Sequence, residues 1–372
     1  MILKRCHQLF NLSRRAYSSL GDEWINVSRR NDKAIIQFDR PKKLNAMTIE
    51  MQSRLGVLMR DFESDSSVSA VILKGNETGF SAGGDVVQFV QSLQNDKKFF
   101  YDCGIEFYRG LLRLSEFKKP VISLADKLCM GGGAAVTFLS SHPVVTERTM
   151  FAMPEVFIGF FPNVGANHFL MQLPNNFGMW VGLTGARFIG SDIINLGLSK
   201  NYVKSTDLDR LEDALINLEK TDLETVSQTI AQFQQKCDKW SIEPNKIKQL
   251  FSGSSVEEIV ENLKGDDTEF SSKILKTFSN LSPTALKLTF NLLRESRLRQ
   301  YSKNEAFSAD FSLYNNFFGD RDGNDFSEGV RSVLIDKKHK PNWIPKTLEE
   351  IDDKKLISYF TTNVIDIRAS RP

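Results

Sequence analysis

The sequence predicts an α/β fold, a run of ββα turns followed by an α-helical C-terminal region. Three observations carry this. From residue 24 to about 204, short apolar strands alternate with helical stretches, with a strand pair or single strand before each helix. From about Leu208 the strands stop, and helical segments follow one another across short loops with Gly, Asp or Pro. The composition of the 372 residues, 41% hydrophobic and 25% charged, is globular, and no apolar run is long enough to span a bilayer. Phe is used 28 times against 7 Tyr and 4 Trp, which forecasts an aromatic core. The boundaries read as 1–20 for a leader, 21–205 for the α/β core and 206–372 for the helical region. Internal self-similarity is too weak to fix a repeat.

The leader holds Lys4, Arg5, Arg14 and Arg15, several Ser and apolar residues, and no acid before Asp22. This is the composition of a mitochondrial transit peptide, with Arg15-Ala16-Tyr17-Ser18-Ser19 resembling a matrix-protease cleavage region. The expected address is the mitochondrial matrix; the alternative is a basic tail that acts in place. The formal charge is +2, of which the leader's four cations contribute +4, so the remainder is near −2. Bulk charge therefore gives no support to direct nucleic-acid binding.

Trp24–Arg29 and Ala34–Phe38 read as strands joined at Asn31-Asp32. Thr48 caps a helix running to Glu63, with Met51, Leu55, Leu58, Met59 and Phe62 on one face. Val68–Lys74 is an apolar strand entering the Gly-rich loop Gly75–Asp85. A helical region ends before Lys119-Pro120, Val121–Leu124 is a buried strand, and Met130-Gly131-Gly132-Gly133 opens a helix at Ala134–Leu139. A strand pair is expected at Val144–Thr146 and Thr149–Ala152. Beyond the boundary, helices are expected over Leu208–Phe233, Ile242–Phe251, Val256–Leu263, Glu269–Leu281, Thr284–Leu293 and Glu305–Tyr314. Trp343–Pro372 reads as a charged, peripheral tail with a disordered end.

Cys6, Cys103, Cys129 and Cys237 show no metal-ligand spacing or close pairing, and the four histidines are scattered, so neither a metal site nor a serine triad is indicated. The chemistry points instead to Glu155, the one carboxylate in the apolar stretch Phe151–Gly165. Apolar surroundings raise a carboxyl pKa into the range useful near neutral pH. The plainer alternative is a Glu capping a helix start. Ala82-Gly83-Gly84-Asp85 and Gly131-Gly132-Gly133 each follow an apolar strand and precede a helix. One backbone N–H from each would form an oxyanion hole for a thioester carbonyl, with Glu155 acting on the carbonyl carbon, on water, or on an adjacent proton. Either loop taken alone also fits a tight, closely packed turn. The dinucleotide and phosphate-loop glycine patterns are absent from both.

In their order along the chain, Asp39-Arg40-Pro41-Lys42-Lys43-Leu44-Asn45-Ala46, Phe80–Asp85, Met130–Gly133 and Met153-Pro154-Glu155 with Ile158-Gly159 resemble the crotonase (enoyl-CoA hydratase/isomerase) superfamily. Within it they are most similar to the mitochondrial 3-hydroxyisobutyryl-CoA hydrolases. Leu281–Lys287, Asp325–Arg331 and Leu334–Lys337 extend that resemblance over nearly the whole mature chain. It implies a crotonase-like spiral of ββα turns, binding of a coenzyme A thioester, and a carbonyl held by the N–H groups of Gly84 and Gly132. Lys42–Asn45 would lie along the coenzyme A with Lys42 or Lys43 near a phosphate, and Leu44, Ala82 and Asp85 join the substrate-binding set. Glu155 stands where these hydrolases carry their catalytic Glu. Ala135 stands where hydratases carry a second Glu, which disfavours hydration. No metal or redox cofactor is implied, since coenzyme A is part of the substrate.

Two positions depart from the pattern. Asn163 replaces the usual Asp; it can hydrogen-bond a substrate hydroxyl but cannot exchange a proton. Phe107 aligns with a further Glu, and a one-residue shift would bring in Glu106 instead. Losing one supporting acid costs on the order of 10²–10⁴ in rate. The expected function is a matrix acyl-CoA thioesterase acting on 3-hydroxyisobutyryl-CoA in valine breakdown, with Glu155, Gly84, Gly132 and Asn163 in the reaction and Phe107 in the substrate pocket. The alternative, motivated by the missing acids, is a hydrolase-derived structural protein such as a small-subunit component of the mitochondrial ribosome. A homo-oligomer is compatible with either, and no membrane partner is expected.

Overall fold

The computed structural model describes residues 23–240, 242–319 and 325–369; the leader lies outside the described residues. The strands are β1 (Ile25–Arg30), β2 (Lys33–Phe38), β3 (Ala70–Lys74), β4 (Gly79–Ser81), β5 (Val121–Ala125), β6 (Leu128–Met130), β7 (His142–Thr146), β8 (Met150–Ala152), β9 (Phe188–Ile189) and β10 (Asn201–Val203). They form two sheets, in the orders β1-β2-β3-β5-β7-β10 and β4-β6-β8-β9. β1–β2 and β8–β9 are antiparallel, and the other pairings are parallel.

Successive strands of one turn therefore go to different sheets: β3, β5 and β7 to the larger, β4, β6 and β8 to the smaller. This corrects the expected pairing of Val144–Thr146 with Thr149–Ala152. The connection between them is pinned by Thr149, whose N–H donates to Thr146 O (3.1 Å) and whose hydroxyl donates to Ala125 O (2.7 Å). The chain turns onto the second sheet there, and each strand pairs with its counterpart in the neighbouring turn. Between β5 and β6, Lys127 makes the same change of direction at φ 56°. β4 lies inside a stretch expected to be loop, because three residues are too few for a period-2 pattern to register.

Alternate residues of the larger sheet enter different cores. Ala34, Ile36, Val71 and Leu73 join the main cluster, which runs from Ile25 to Ile367 and takes in the C-terminal helices. Ile35, Ile72, Ile122 and Val144 join a smaller cluster on the other face, closed by helices Leu208–Ile216 and Leu223–Ala231. Burial on both faces explains why these strands read as continuous apolar runs.

Thr48 caps its helix as expected, accepting from Met51 N (3.1 Å). Two expectations fail. Leu208–Phe233 is two helices, broken before Asp222, which caps the second by accepting from Thr225 N (2.8 Å). The tail is not peripheral as far as residue 367. Trp343, Leu356, Tyr359 and Ile367 are buried, and Arg109 Nε donates to Ile367 O (2.8 Å). Its apolar residues recur too sparsely among charges to register as a buried face, and Arg109 holds it from 258 residues away.

Candidate active site

β8, an inner strand of the smaller sheet, ends at Ala152, and Pro154 leads into a single 3₁₀ turn, Glu155–Ile158. Gly159 ends that turn at φ 66°, where a Cβ would lie 2.5 Å from Asp325 O. Gly329 approaches Ile158 so closely that a Cβ would collide with its backbone. The helix Asp325–Val330 thus backs the Glu155 turn. Asp325 is itself held by Ser282, whose hydroxyl donates at 2.6 Å, and by Ile344 N at 3.0 Å.

The two glycine loops meet beside Glu155. Met47 bridges to the first, its N–H donating to Gly83 O (2.7 Å) while its carbonyl accepts from Asp85 N (2.8 Å). Among the described residues, the N–H groups of Gly84 and Gly132 have no backbone acceptor. A Cβ on Gly132 would lie 3.9 Å from Gly84 N, so the two donors sit side by side. The other glycines of the second loop have separate duties. Gly131 adopts φ 50°, and a Cβ there would lie 2.9 Å from Glu155 Oε1; Gly133 packs against Ser81. Close packing and free N–H groups therefore coexist in one motif.

Glu155 is 7% exposed, and its Oε2 is buried without a hydrogen-bond partner among the described residues. Burial pushes its carboxyl up to about 8, and the charge of Asp310 adds to the shift. Glu155 does stand at a helix start, as the plainer alternative expects, but the helix is a single 3₁₀ turn, and the hydrogen bond that the carboxyl accepts from its own backbone N–H leaves Oε2 without a partner. The carboxyl borders a cavity of about 60 Å³ together with Gly84, Gly132, Phe107, Tyr108 and Asn163. Phe89, Phe160, Phe318 and Phe326 complete an aromatic wall, where part of the Phe surplus is spent.

Asn163 belongs to a chain of hydrogen bonds that the sequence does not advertise. Its Nδ2 donates to the Tyr108 hydroxyl (3.1 Å), which also accepts from Val164 N (3.2 Å) and donates to Asp310 Oδ1 (2.8 Å). Asp310 Oδ2 accepts from Gly165 N (2.6 Å). Asp310 is fully buried on the helix Lys303–Gly319, and burial raises its carboxyl to about 7. Burial likewise raises the Tyr108 hydroxyl well above its ordinary value. A signal for Asp310 exists in the sequence: it is the lone acid on the stripe Phe307, Asp310, Phe311, Tyr314.

The structure thus gathers five of the expected site residues, Gly84, Phe107, Gly132, Glu155 and Asn163, around one cavity. Glu106, the alternative to Phe107, points elsewhere and pairs with Arg109 (3.1 Å). Ala135 is fully buried inside its short helix. Lys42, Leu44, Ala82 and Asp85 lie outside the cavity wall on adjoining loops, joined by Ala82 N donating to Leu44 O (3.0 Å). Lys42 and Lys43 are exposed. The Asp85 carboxylate is occupied by Arg40 (2.8 Å) and by capping Gln88 N (3.2 Å). Among the described residues, no group of three His, Cys, Asp or Glu side chains is placed to hold a metal ion, and no helix is long and apolar enough to cross a membrane.

Comparison with known proteins places this geometry. A profile of the enoyl-CoA hydratase/isomerase family matches residues 33–360. The mitochondrial 3-hydroxyisobutyryl-CoA hydrolase of Xenopus laevis is 36% identical over 336 residues, 88% of this chain and 86% of its own. A probable 3-hydroxyisobutyryl-CoA hydrolase of Arabidopsis thaliana is 34% identical over 348 residues, 90% of this chain and 91% of its own. A carnitinyl-CoA dehydratase from Mycobacterium thermoresistibile superposes with a TM-score of 0.84 at 28% identity, covering 93% of this chain and 98% of that one. An enoyl-CoA hydratase from Rhodobacter sphaeroides gives 0.77 at 27% identity, covering 91% and 97%.

Proposed function

We propose that this chain, which belongs to the enoyl-CoA hydratase/isomerase family, is a mitochondrial acyl-CoA thioester hydrolase whose substrate in the matrix is 3-hydroxyisobutyryl-CoA, the hydrolase step of valine breakdown. The names of its relatives support both the reaction and the address. The observation that carries the reading is the pairing of one buried carboxyl, Glu155, with two unpaired N–H groups across a small cavity. Ala135, which cannot serve as a second acid, argues against hydration of a double bond.

In this reading the thioester oxygen accepts from Gly84 and Gly132 N–H, which stabilise the charge it gains as the carbonyl carbon becomes tetrahedral. Glu155 either attacks that carbon or takes a proton from the attacking water. In both routes the C–S bond breaks, the sulfur leaves as thiolate and is protonated, and water supplies the oxygen of the released acid. A cavity of about 60 Å³ walled by Phe suits a short acyl group. Asn163 binds the substrate's hydroxyl. Lys42 and Lys43, exposed beside Leu44, would meet a coenzyme A phosphate.

The test is thiol release from 3-hydroxyisobutyryl-CoA by the recombinant chain beginning at Ser18. Turnover that disappears in Glu155→Gln is the expected result. A folded parent with no turnover would overturn the reading. One observation favours a second reading, a structural component of the mitochondrial small ribosomal subunit: Phe107 and Asn163 stand at the cavity where the resemblance expects acids. Comigration of the mature protein with ribosomal particles on a sucrose gradient, without turnover, would support that role.

A further inference from the structure

Asp310 is an unusual occupant for its place. It is 0% exposed, it lies among Phe307, Phe311 and Tyr314, and it comes from the C-terminal helical region, which gives the cavity itself only aromatic side chains, Tyr314, Phe318 and Phe326. A buried carboxylate is costly unless its oxygens are paired. Both are: Oδ2 accepts from Gly165 N (2.6 Å) and Oδ1 from the Tyr108 hydroxyl (2.8 Å).

The direction of these bonds constrains the next link. A tyrosine hydroxyl has one proton to give. That proton goes to Asp310. Val164 N, which can only donate, already approaches the oxygen at 3.2 Å. Asn163 meets the same oxygen at 3.1 Å, where no proton remains to be offered, so it must present its NH₂. Its carbonyl oxygen is the end left for the cavity, which Asn163 lines.

We propose that Asp310 is a positioning residue which, through Tyr108, fixes the Asn163 amide with its oxygen towards the acyl pocket, so that the pocket selects an acyl group bearing a hydrogen-bond donor. The inference deepens the thioesterase reading and rests on it. A neutral amide held this way offers the acceptor that a carboxylate would offer, without adding a third carboxyl beside Glu155 and Asp310. An acyl group without a donor would leave that oxygen unpaired.

The test is binding by calorimetry in a Glu155→Gln background, which prevents turnover, with 3-hydroxyisobutyryl-CoA, whose hydroxyl can donate, and 3-methoxyisobutyryl-CoA, whose ether oxygen can only accept. The hydroxylated thioester should bind about tenfold tighter, the value of one well-made hydrogen bond. Asp310→Asn keeps the shape and leaves Gly165 N an acceptor, but its NH₂ donates to Tyr108. The Tyr108 proton then turns to Asn163, the amide reverses, and the tenfold preference should vanish. Tyr108→Phe removes the relay while keeping the ring, and should also bring the ratio near one. Thermal melts establish that each variant is folded. In an Asn163→Ala background the ratio should already be lost, and Asp310→Asn should change it no further. A preference unchanged in folded Asp310→Asn and Tyr108→Phe would overturn the inference, as would an effect of Asp310→Asn that persists without Asn163. If the Glu155→Gln protein binds neither thioester, the inference falls as well. Thiol release by the chain with Glu155 intact, scored in parallel, reports on the thioesterase reading alone, so the two fail separately.

Discussion

Gly131 lies against the Glu155 carboxyl so closely that a Cβ would stand 2.9 Å from Oε1, at a backbone φ of 50°. One residue thereby serves both the turn and the place of the acid. Gly131→Ala should cost about 1–3 kcal/mol of stability through backbone strain alone. It should also displace the carboxyl, and a shift of about 1 Å at a reacting group costs about 10²-fold in rate. The expected signature is a fall in kcat much larger than any rise in KM, measured by thiol release with thermal melting alongside. Wild-type kcat in folded Gly131→Ala would show that the contact does not position Glu155.

The two buried carboxyls make stability fall as pH rises. Burial raises Glu155 from an ordinary 4.5 to about 8 and Asp310 from 3.8 to about 7. Between the ordinary and folded values, the folded chain keeps protons that the unfolded chain has released. Stability is therefore fully present at the acid end of this window and falls as pH rises towards 8, by at most about 1.4 kcal/mol per pH unit for each group. His168, lowered to about 4 mainly by burial, acts in the opposite sense up to its ordinary 6.5, and the surface carboxylates Asp65 and Asp266, held near 2 mainly by hydroxyl hydrogen bonds, do so only below about pH 4. Urea unfolding from pH 4.5 to 8 should show the decline, and Glu155→Gln should flatten it. Equal slopes in the two proteins would remove Glu155 as its source.

The same groups couple in activity. The carboxylate form of Glu155 is the working form under either route, so the rate should rise as pH passes through about 8. The charge of Asp310 contributes to that elevation. Asp310→Asn should move the midpoint of the kcat/KM profile to lower pH. An unmoved midpoint would mean that the two acids do not sense each other.

Glu155 was legible because it is the lone acid in an apolar stretch beside glycine loops whose spacing carries a chemical meaning. Asp310 is just as isolated on its helix, but its partners are Gly165, 145 residues earlier, and Tyr108, 202 residues earlier. No local pattern ties those positions together. The alternation of strands and helices could be read from periodicity, whereas the dealing of strands into two sheets could not. β4, β6 and β8 have three residues each, and β2, β3, β5 and β7 of the larger sheet are buried on both faces, so these strands show no polar side to mark their sheet. The motif Asp325–Arg331 was visible only as a resemblance. Its duty, backing the Glu155 turn, depends on a contact that sequence spacing does not contain.

That contact is open to test through Gly329. The helix Asp325–Val330 meets Ile158 at this glycine, with no room for a Cβ. Gly329→Ala should push the helix from the turn, lowering stability by about 1–3 kcal/mol, the usual cost of overpacking. Because Glu155 begins that turn, kcat should fall as well. A control such as Gly265→Ala, at a helix end where a Cβ meets nothing within 4 Å, should leave kcat unchanged. A loss of stability with kcat intact would show that the helix braces the fold without positioning the acid.

Asn163→Asp restores the residue type that the resemblance expects, and the hydrogen-bond pattern argues that it will not simply restore an acid. The Tyr108 hydroxyl gives its proton to Asp310, so a carboxylate at position 163 would meet an oxygen with nothing to donate. It would also be a third carboxyl close to Glu155 and Asp310. Like charges disfavour further ionisation, so the carboxyls should all titrate higher. The variant should lose stability relative to the parent more at pH 8 than at pH 5, where protonation relieves the repulsion. The midpoint of its rate profile should move up in pH, and its rate at neutral pH should not exceed that of the parent. Melting curves and kcat/KM at both pH values decide this. A variant that is faster at neutral pH and no less stable would mean that the Tyr108 proton can turn to residue 163, and that Asp310 does not control it.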